Sequence, residues 1–183
     1  MQTKVIAVIF LLVGLFSCSN GVVKKPRKNQ IDKIVFATGE CKGSCALQAI
    51  EIDSLLHCKY FGGKHTFKMG FYTSLINRDL WDSINEKFEQ ANYNQWDSSY
   101  KESFDTWPGE IVLYYSGKRN HIILMDSDLP DSLRNLFYWM TEIPKRIEFK
   151  QSSDSQHFET WVQNGFPRIP DISIKRYIPI NHK

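Results

Sequence analysis

Cys41 and Cys45 lie four positions apart in the segment GECKGSCAL, with Gly43 between them. Cysteines at this spacing can bind a metal, form a redox pair or close a structural disulfide. A structural zinc site needs four ligands, usually in two pairs, and here a single Cys-x3-Cys pair stands without a second pair. A thioredoxin-type redox motif has two residues between its cysteines rather than three. The choice among these chemistries depends on the compartment in which the chain works.

The amino-terminal segment MQTKVIAVIFLLVGLFSC indicates that compartment. It starts with one positive charge, Lys4, and continues as an apolar run from Val5 to Phe16. The run is shorter than the roughly 20 residues of a membrane-spanning helix. It fits the hydrophobic region of a secretory signal peptide. The run ends at Leu15-Phe16-Ser17-Cys18, which resembles the lipobox of bacterial lipoproteins.

The lipobox resemblance implies that residues 1–17 are removed, that Cys18 carries the lipid, and that the chain is anchored in the cell envelope. Ser19, in place of an aspartate, favours the outer membrane. Residues 18–32 are polar and basic and are expected to form a flexible tether. An ordinary cleaved signal peptide with a chance cysteine is the alternative.

An envelope location favours a disulfide between Cys41 and Cys45, because disulfides form and persist outside the cytoplasm. Gly43 can take the positive φ that a tight loop requires. A redox or metal pair and two free thiols are the alternatives. Cys58 is predicted to be a buried thiol in a strand.

The composition indicates one packed domain. Hydrophobic residues make up 42% of the 183 residues and charged residues 23%, which argues against disorder. A formal net charge of +3 gives no reason to expect a nucleic-acid partner. The globular domain is predicted over residues 33–150, and residues 151–183, with Pro167, Pro170 and Pro179, form an irregular extension.

Hydrophobic periodicity predicts the elements of that domain. The segments KIVFAT, ALQAIEID, HCKYFG and HTFKMG are expected to be strands, and Gln48, Ile50 and Ile52 to face the core. Four-residue steps from Tyr72 to Phe88 predict a helix near residues 71–91. EIVLYYS, GKR and NHIILMD form a hairpin, and DSDLPDSL starts a second helix with an aspartate or serine cap. The apolar stripe of that helix is predicted to consist of Leu129, Leu133, Leu136, Phe137 and Met140. The order βββ(β)αββα predicts an α+β fold, a mainly antiparallel sheet with two helices on one face.

The segment between the first helix and the hairpin, residues 92–110, is a long loop rich in aromatic residues. Loops of this length inside compact domains are often functional. The candidate binding residues are Tyr93, Trp96, Tyr100, Asp105 and Trp107. Rings interleaved with acids suit stacking on a sugar or gripping a peptide. The alternative is that the rings fold inward to cover the sheet or plug its edge.

Catalytic and metal-binding motifs are not visible in the sequence. An envelope hydrolase would have to use Asp97, Asp105 or His121. His57 and Cys58 are neighbours in a strand, so their side chains point to opposite faces. No cofactor and no metal are expected.

Residues from about Ile34 to Ile147 resemble an uncharacterised bacterial lipoprotein domain, a domain of unknown function with a Cys-x-Gly-x-Cys-Pro signature. The residues that match are Cys41, Gly43, Cys45, Gly62, Gly70, Tyr100, Asp105, Pro108, Gly117 and Lys118. Ala46 stands where the family has proline, and Ser54-Leu55 replaces an Asp-Gly turn. The resemblance implies the fold, an envelope location and a shared role for Tyr100 and Asp105.

The sequence therefore favours a non-catalytic binding module, held at the membrane by its lipid, that takes a protein, peptide or glycan ligand. A hydrolase is one alternative. An inhibitor or immunity-like lipoprotein is the other.

Overall fold

The computed structural model describes residues 30–97, 100, 107–124 and 129–160, and the backbone alone of residues 125, 162–163 and 166–167. Seven strands form one sheet: β1 (Ile31–Thr38), β2 (Gln48–Asp53), β3 (His57–Gly62), β4 (Gly70–Leu75), β5 (Pro108–Tyr115), β6 (Lys118–Met125) and β7 (Lys150–Ser152). Their order in the sheet is β6-β5-β1-β2-β3-β4-β7, and every pairing is antiparallel. Two helices, α1 (Arg78–Gln90) and α2 (Asp131–Glu142), pack on one face. The predicted α+β class is confirmed.

Strand β1 lies in the interior of the sheet, because it pairs with both β2 and β5. Its side chains alternate between the two faces, as a pleated strand requires. Ile34 and Phe36 pack in the core beneath the helices. Val35 and Ala37 belong to a second apolar cluster on the opposite face, away from the helices. This face is called the open face below. Both sets are buried, so the sheet is covered on both sides.

Helix α1 starts at a cap formed by Asn77, whose side-chain oxygen accepts a hydrogen bond from the Leu80 amide at 2.8 Å. Its buried stripe follows the spacing predicted from the sequence, with Trp81, Ile84 and Phe88 directed to the sheet. The helix therefore supplies large apolar side chains to the core and polar residues to the surface.

The predicted helix over residues 71–91 is wrong in its first part, because Gly70–Leu75 forms strand β4. The segment HTFKMG does not form a separate strand; residues 64–68 form turns and bends, and Gly70 opens β4 with a φ of 114°. Tyr72 and Ile76 are four residues apart, and four is both close to the helical period and a multiple of the strand period. Their spacing alone could not distinguish the two elements.

The β5–β6 hairpin turns at Ser116 and Gly117, which have φ values of 50° and 72°. A type I′ turn requires a positive φ at both central positions, and its twist matches that of the strands. The predicted hairpin is confirmed, although Lys118 and Arg119 already belong to β6.

Helix α2 begins without the predicted aspartate or serine cap. Pro130 holds the cap position without a side-chain hydrogen bond, and its carbonyl accepts the Arg134 amide at 2.8 Å. Proline suits the start of a helix because its φ is already close to the helical value. Residues 126–128 lie outside the described residues. The predicted apolar stripe is confirmed, since its members are all buried: Leu129, Leu133, Leu136, Phe137 and Met140.

After β7 the chain turns back over the open face. Residues 153–160, called the strap below, place Phe158 in the open-face cluster with its side chain fully buried. Within the described part of the extension, a two-residue ladder also joins Val162–Gln163 to Phe166–Pro167. The packed structure thus continues past residue 150 into the segment predicted to be irregular.

Candidate functional site

Cys41 and Cys45 form a disulfide with their Cα atoms 5.5 Å apart. The bond closes the connection between β1 and β2. Gly43, however, does not take the positive φ expected from the sequence, because among the described glycines only Gly70 and Gly117 do so. The disulfide is the bond predicted from the sequence, and while it is formed neither sulfur is a free thiol or a thiolate ligand for a metal.

Cys58 is buried in β3, as predicted, and carries a free thiol. Burial raises its pKa well above the usual value, and the nearby carboxylates of Glu51 and Asp53 add to the effect. A thiol with a raised pKa is a poor nucleophile at neutral pH. Cys58 therefore acts as a small apolar core residue.

The disulfide loop lies against the connection between β3 and β4. The Leu47 amide donates to the Lys64 carbonyl at 3.0 Å, and the Gly63 amide donates to the Leu47 carbonyl at 2.7 Å. Lys64 also pairs with Glu40 at 3.3 Å. These contacts join the two connections at one end of the sheet, so the disulfide supports the β3–β4 connection from the side.

Phe67, Lys68 and Met69 project from that connection and are called the aromatic tip below. Phe67 is 42% exposed and Met69 is 67% exposed, although both are large apolar side chains. The Phe67 ring lies 5.8 Å from that of Tyr60, which is buried beneath it. The tip thus places exposed apolar surface over a buried ring.

A layer of rings supports the aromatic tip. Tyr60 stacks on Phe149 at 5.0 Å, and Tyr72 lies 6.0 Å from the same ring. The Lys68 ammonium lies 5.7 Å from the centre of the Tyr72 ring and 6.0 Å from that of Phe149. A cation at this distance from ring faces is held by their negative electrostatic potential. Lys68 therefore contributes a positive charge beside the exposed Met69.

The rings of the predicted binding loop lie in a different region and turn inward. Tyr93 is buried, and burial raises its pKa to about 12, helped by the charge of Glu89. Trp96 is half-buried and donates its indole N–H to the Ala91 carbonyl at 2.7 Å. Its ring lies 5.8 Å from that of Phe88 in α1.

Two further described residues of the loop, Tyr100 and Trp107, contact β6 and α2. The Tyr100 amide donates to the Ile123 carbonyl of β6 at 3.2 Å, and Trp107 packs edge-on against Phe137 at 5.3 Å. Asp105 lies outside the described residues. The described rings thus match the alternative in which the loop covers the sheet and plugs its edge. A binding role for the loop stays a prediction.

The candidate catalytic histidine, His121, contacts Glu110, an acidic residue that was not predicted from the sequence as a site residue. Its Nε2 atom contacts Oε1 of Glu110, whose side chain is 3% exposed, whereas that of His121 is 32% exposed. The two residues lie diagonally on β5 and β6, because His121 faces Val112 in register. On the same face, but in the more distant strands β2 and β3, Lys59 donates to Glu51 at 2.8 Å. The alternation of β5 and β6 could have indicated that Glu110 and His121 share a face.

The other predicted candidates do not join this pair in the described residues. Asp97 is exposed, and its amide donates to the Tyr100 hydroxyl at 3.3 Å. His57 pairs instead with Asp53 at 3.2 Å. Within the described ranges, no group of three or more histidine, cysteine or acidic side chains is placed to hold a metal ion. In the same ranges no helix has the length and apolar character needed to span a membrane.

Residues 32–144 match a protein family described as Domain of unknown function (DUF6438). The match covers more than half of the 183 residues. The chain belongs to this family. The DUF6438 match takes in nearly all of β1, then β2–β6 and both helices, whereas β7 and the strap follow it. A search of curated proteins gives no match.

The lipid-anchor prediction falls outside the region that the DUF6438 match and the structure cover. Residues 1–29, which include Cys18, are outside the described residues. The aromatic tip was missed as a site because HTFKMG was interpreted as a strand. Lys68 between the apolar residues Phe67 and Met69 was the sequence signal that could have indicated an exposed turn.

Proposed function

We propose that this DUF6438 protein is a lipid-anchored, non-catalytic interaction module of the bacterial cell envelope that binds a protein or peptide through its aromatic tip. Two features of the amino-terminal half support the location. The apolar leader ends in a lipobox-like segment at Cys18. The Cys41–Cys45 disulfide suits an oxidising compartment outside the inner membrane.

The exposure of the aromatic tip carries the proposal of binding. Phe67 and Met69 leave apolar area in contact with water, and exposed apolar surface of this kind can mark a site of protein interaction. Methionine adapts its shape to varied apolar partners, and aromatic residues are enriched where proteins bind each other. Lys68 adds a positive charge, so the favoured ligand presents apolar and acidic groups together.

Affinity capture with the native lipoprotein in envelope extracts tests the binding proposal. Phe67→Ser/Met69→Ser should lose the partners that the unchanged protein captures, as identified by mass spectrometry. The matched control is Leu55→Ser/Leu75→Ser, which removes two side chains that are each 71% exposed at the opposite end of β3 and β4. Equal loss in both variants, or in neither, contradicts binding at the tip.

Anchoring is tested by Cys18→Ala. The unchanged protein should incorporate a fatty-acid analogue and partition with membranes, since stable anchoring needs more than one acyl chain. The variant should be soluble or unprocessed. Incorporation of the analogue by the variant would contradict the assignment of Cys18.

A second candidate function, hydrolysis, is favoured by the contact between Glu110 and His121. A buried carboxylate that orients a partly exposed histidine is the arrangement of a general base. The experiment is a panel of ester and peptide substrates, with His121→Gln as the variant. Turnover that is abolished in the variant would favour the enzyme. An inhibitor or immunity-like role would act by binding and falls within the first proposal.

A further inference from the structure

The open face of the sheet has a recess lined by small side chains. Ala37 faces Ala49 across the β1–β2 ladder, and Val35 faces Val112 across the β1–β5 ladder. Phe61 of β3 faces Ala49 across the β2–β3 ladder and borders the recess. Two alanines side by side at the centre of a sheet leave room for one large ring above them. The recess is thus built by the central strands β1, β2, β3 and β5.

The ring that fills the recess comes from the strap. Phe158 packs in the open-face cluster and is 0% exposed. Its neighbours Gln156 and Glu159 hold the strap through side-chain hydrogen bonds. The Gln156 amide donates to the Tyr72 carbonyl at 3.3 Å, but its own carbonyl oxygen is buried without a partner among the described residues. The strap is therefore held on the sheet mainly by the ring of Phe158 and the carboxylate of Glu159.

The carboxylate of Glu159 lies in a positively charged rim beside the recess. One of its oxygens accepts a hydrogen bond from the Lys33 ammonium at 2.5 Å, and the other accepts from the Tyr114 hydroxyl. Arg119 approaches the second oxygen to 3.8 Å. Lys33, Tyr114 and Arg119 come from β1, β5 and β6, so three strands converge on one acid. Charged hydrogen bonds of this kind specify an acidic residue more strongly than neutral ones.

The recess and its rim lie wholly inside the DUF6438 domain, whereas the residues that fill them lie outside it. The lining and rim residues fall between positions 33 and 119, within the matched range of 32–144. Phe158 and Glu159 follow that range. The domain thus carries a receptor surface whose occupant is supplied by an appended segment.

We propose that the open face is a docking site for an extended peptide segment with an aromatic residue followed directly by an acidic one, and that the strap occupies it as an intramolecular ligand. The partner enters when the strap leaves. Because a tethered occupant has a high effective concentration, the strap keeps weak competitors out. This site is separate from the aromatic tip, so either proposal can fail without the other.

The test uses the full chain and a labelled peptide with the strap sequence, DSQHFETWVQ. Phe158→Ser/Glu159→Lys removes both anchors and frees the recess. By fluorescence anisotropy this variant should bind the peptide at least tenfold more tightly than the unchanged protein does. It should not bind a control peptide, DSQHSKTWVQ, in which both anchor residues are replaced.

A second measurement, made on the unchanged protein, tests the proposal if the variant fails to fold. In the unchanged protein, hydrogen exchange of the strap amides at residues 155–160 should be at least tenfold faster than that of β1. Strap amides that exchange only together with β1 would overturn the proposal. So would a folded variant that binds the peptide no better than the unchanged protein. Dimers of the unchanged protein that exchange their straps would also overturn it, because the partner would then be a second copy.

Discussion

Lys33 and Glu159 are 126 positions apart in the sequence, and the Lys33 ammonium donates to the Glu159 carboxylate at 2.5 Å. This hydrogen bond, together with that from Tyr114, lowers the pKa of Glu159 below its ordinary value. For Lys33, burial lowers the pKa, but the bond to Glu159 and the charge of Glu51 outweigh burial and raise it. The contact therefore couples the seating of the strap to pH.

The strap contact should stabilise the protein only between acid and strongly alkaline pH. The folded pKa of Glu159 is depressed, so its contribution is present above the ordinary value of 4.5 and is lost as pH falls through the folded pKa. The folded pKa of Lys33 is raised, so its contribution is complete below 10.5 and is lost as pH rises through the folded pKa. Urea unfolding of the unchanged protein and Glu159→Gln at several pH values measures the difference. The free energy of unfolding should be lower in the variant by about 1 kcal/mol or less at pH 7, and this difference should vanish in acid.

The matched control for this experiment is Glu142→Gln. Glu142 pairs with Lys145 at 2.7 Å on the surface, and both side chains are more than half exposed. Its removal tests whether any loss of a surface carboxylate gives the same pH profile. A difference for Glu159→Gln that stays constant from pH 3 to pH 7 would contradict a role for the ionised carboxylate.

The parts of the fold that were predicted correctly are those fixed by local pattern. The β-branched and aromatic run KIVFAT and the apolar stripe of α2 reflect side chains that become buried, so both are visible in short windows of the sequence. The boundary near Tyr72 was missed because a four-residue step suits both helix and strand. Asn77, the cap of α1, was the local signal that would have placed the boundary.

The open-face site could not be predicted, because its parts meet only in the tertiary structure. Phe158 lies in the extension that was predicted to be irregular, and no sequence pattern near it indicates a contact with Ala37 or Ala49. Lys33 was part of a predicted strand with no indicated partner. The Cys41–Cys45 disulfide could be predicted from the sequence because both cysteines lie in one short loop.

The disulfide predicts a specific thiol count. Protein that lacks Cys18, denatured without reductant, should show one thiol, that of Cys58, and reduction should raise the count to three. The double variant Cys41→Ser/Cys45→Ser should fold but lose about 2 kcal/mol of stability, because a short loop removes little entropy from the unfolded chain. Ellman titration and thermal melts measure both. Three thiols in unreduced protein from the envelope would contradict the bond.

Replacing Trp96 or Trp107 with alanine should destabilise the fold. Trp96 packs on Phe88 and donates to the Ala91 carbonyl, and Trp107 packs on Phe137, so each change removes core contacts. Both rings are half-buried, which places the expected cost at the low end for large-to-small changes, about 3 kcal/mol each. Urea unfolding measures the cost.

The matched control for these tryptophans is Phe67→Ala in the aromatic tip. Phe67 is exposed, so its removal should change the free energy of unfolding by less than about 1 kcal/mol. If the tryptophan variants were as stable as this control and failed to capture a partner, the loop would be a binding surface, and the inward packing would have no energetic role.

The contact between Glu110 and His121 predicts a non-additive pair of mutations. The Glu110 carboxylate is almost fully buried, so His121→Ala removes one of its partners and leaves a desolvated acid, at a cost of about 1–3 kcal/mol. Glu110→Met/His121→Leu replaces both groups with apolar side chains that suit the neighbouring Val112. Replacing both members of a buried pair is often neutral, so the double variant should be more stable than His121→Ala. Urea unfolding of the two single variants and the double variant gives the coupling energy, and additive losses would show that the two side chains do not support each other.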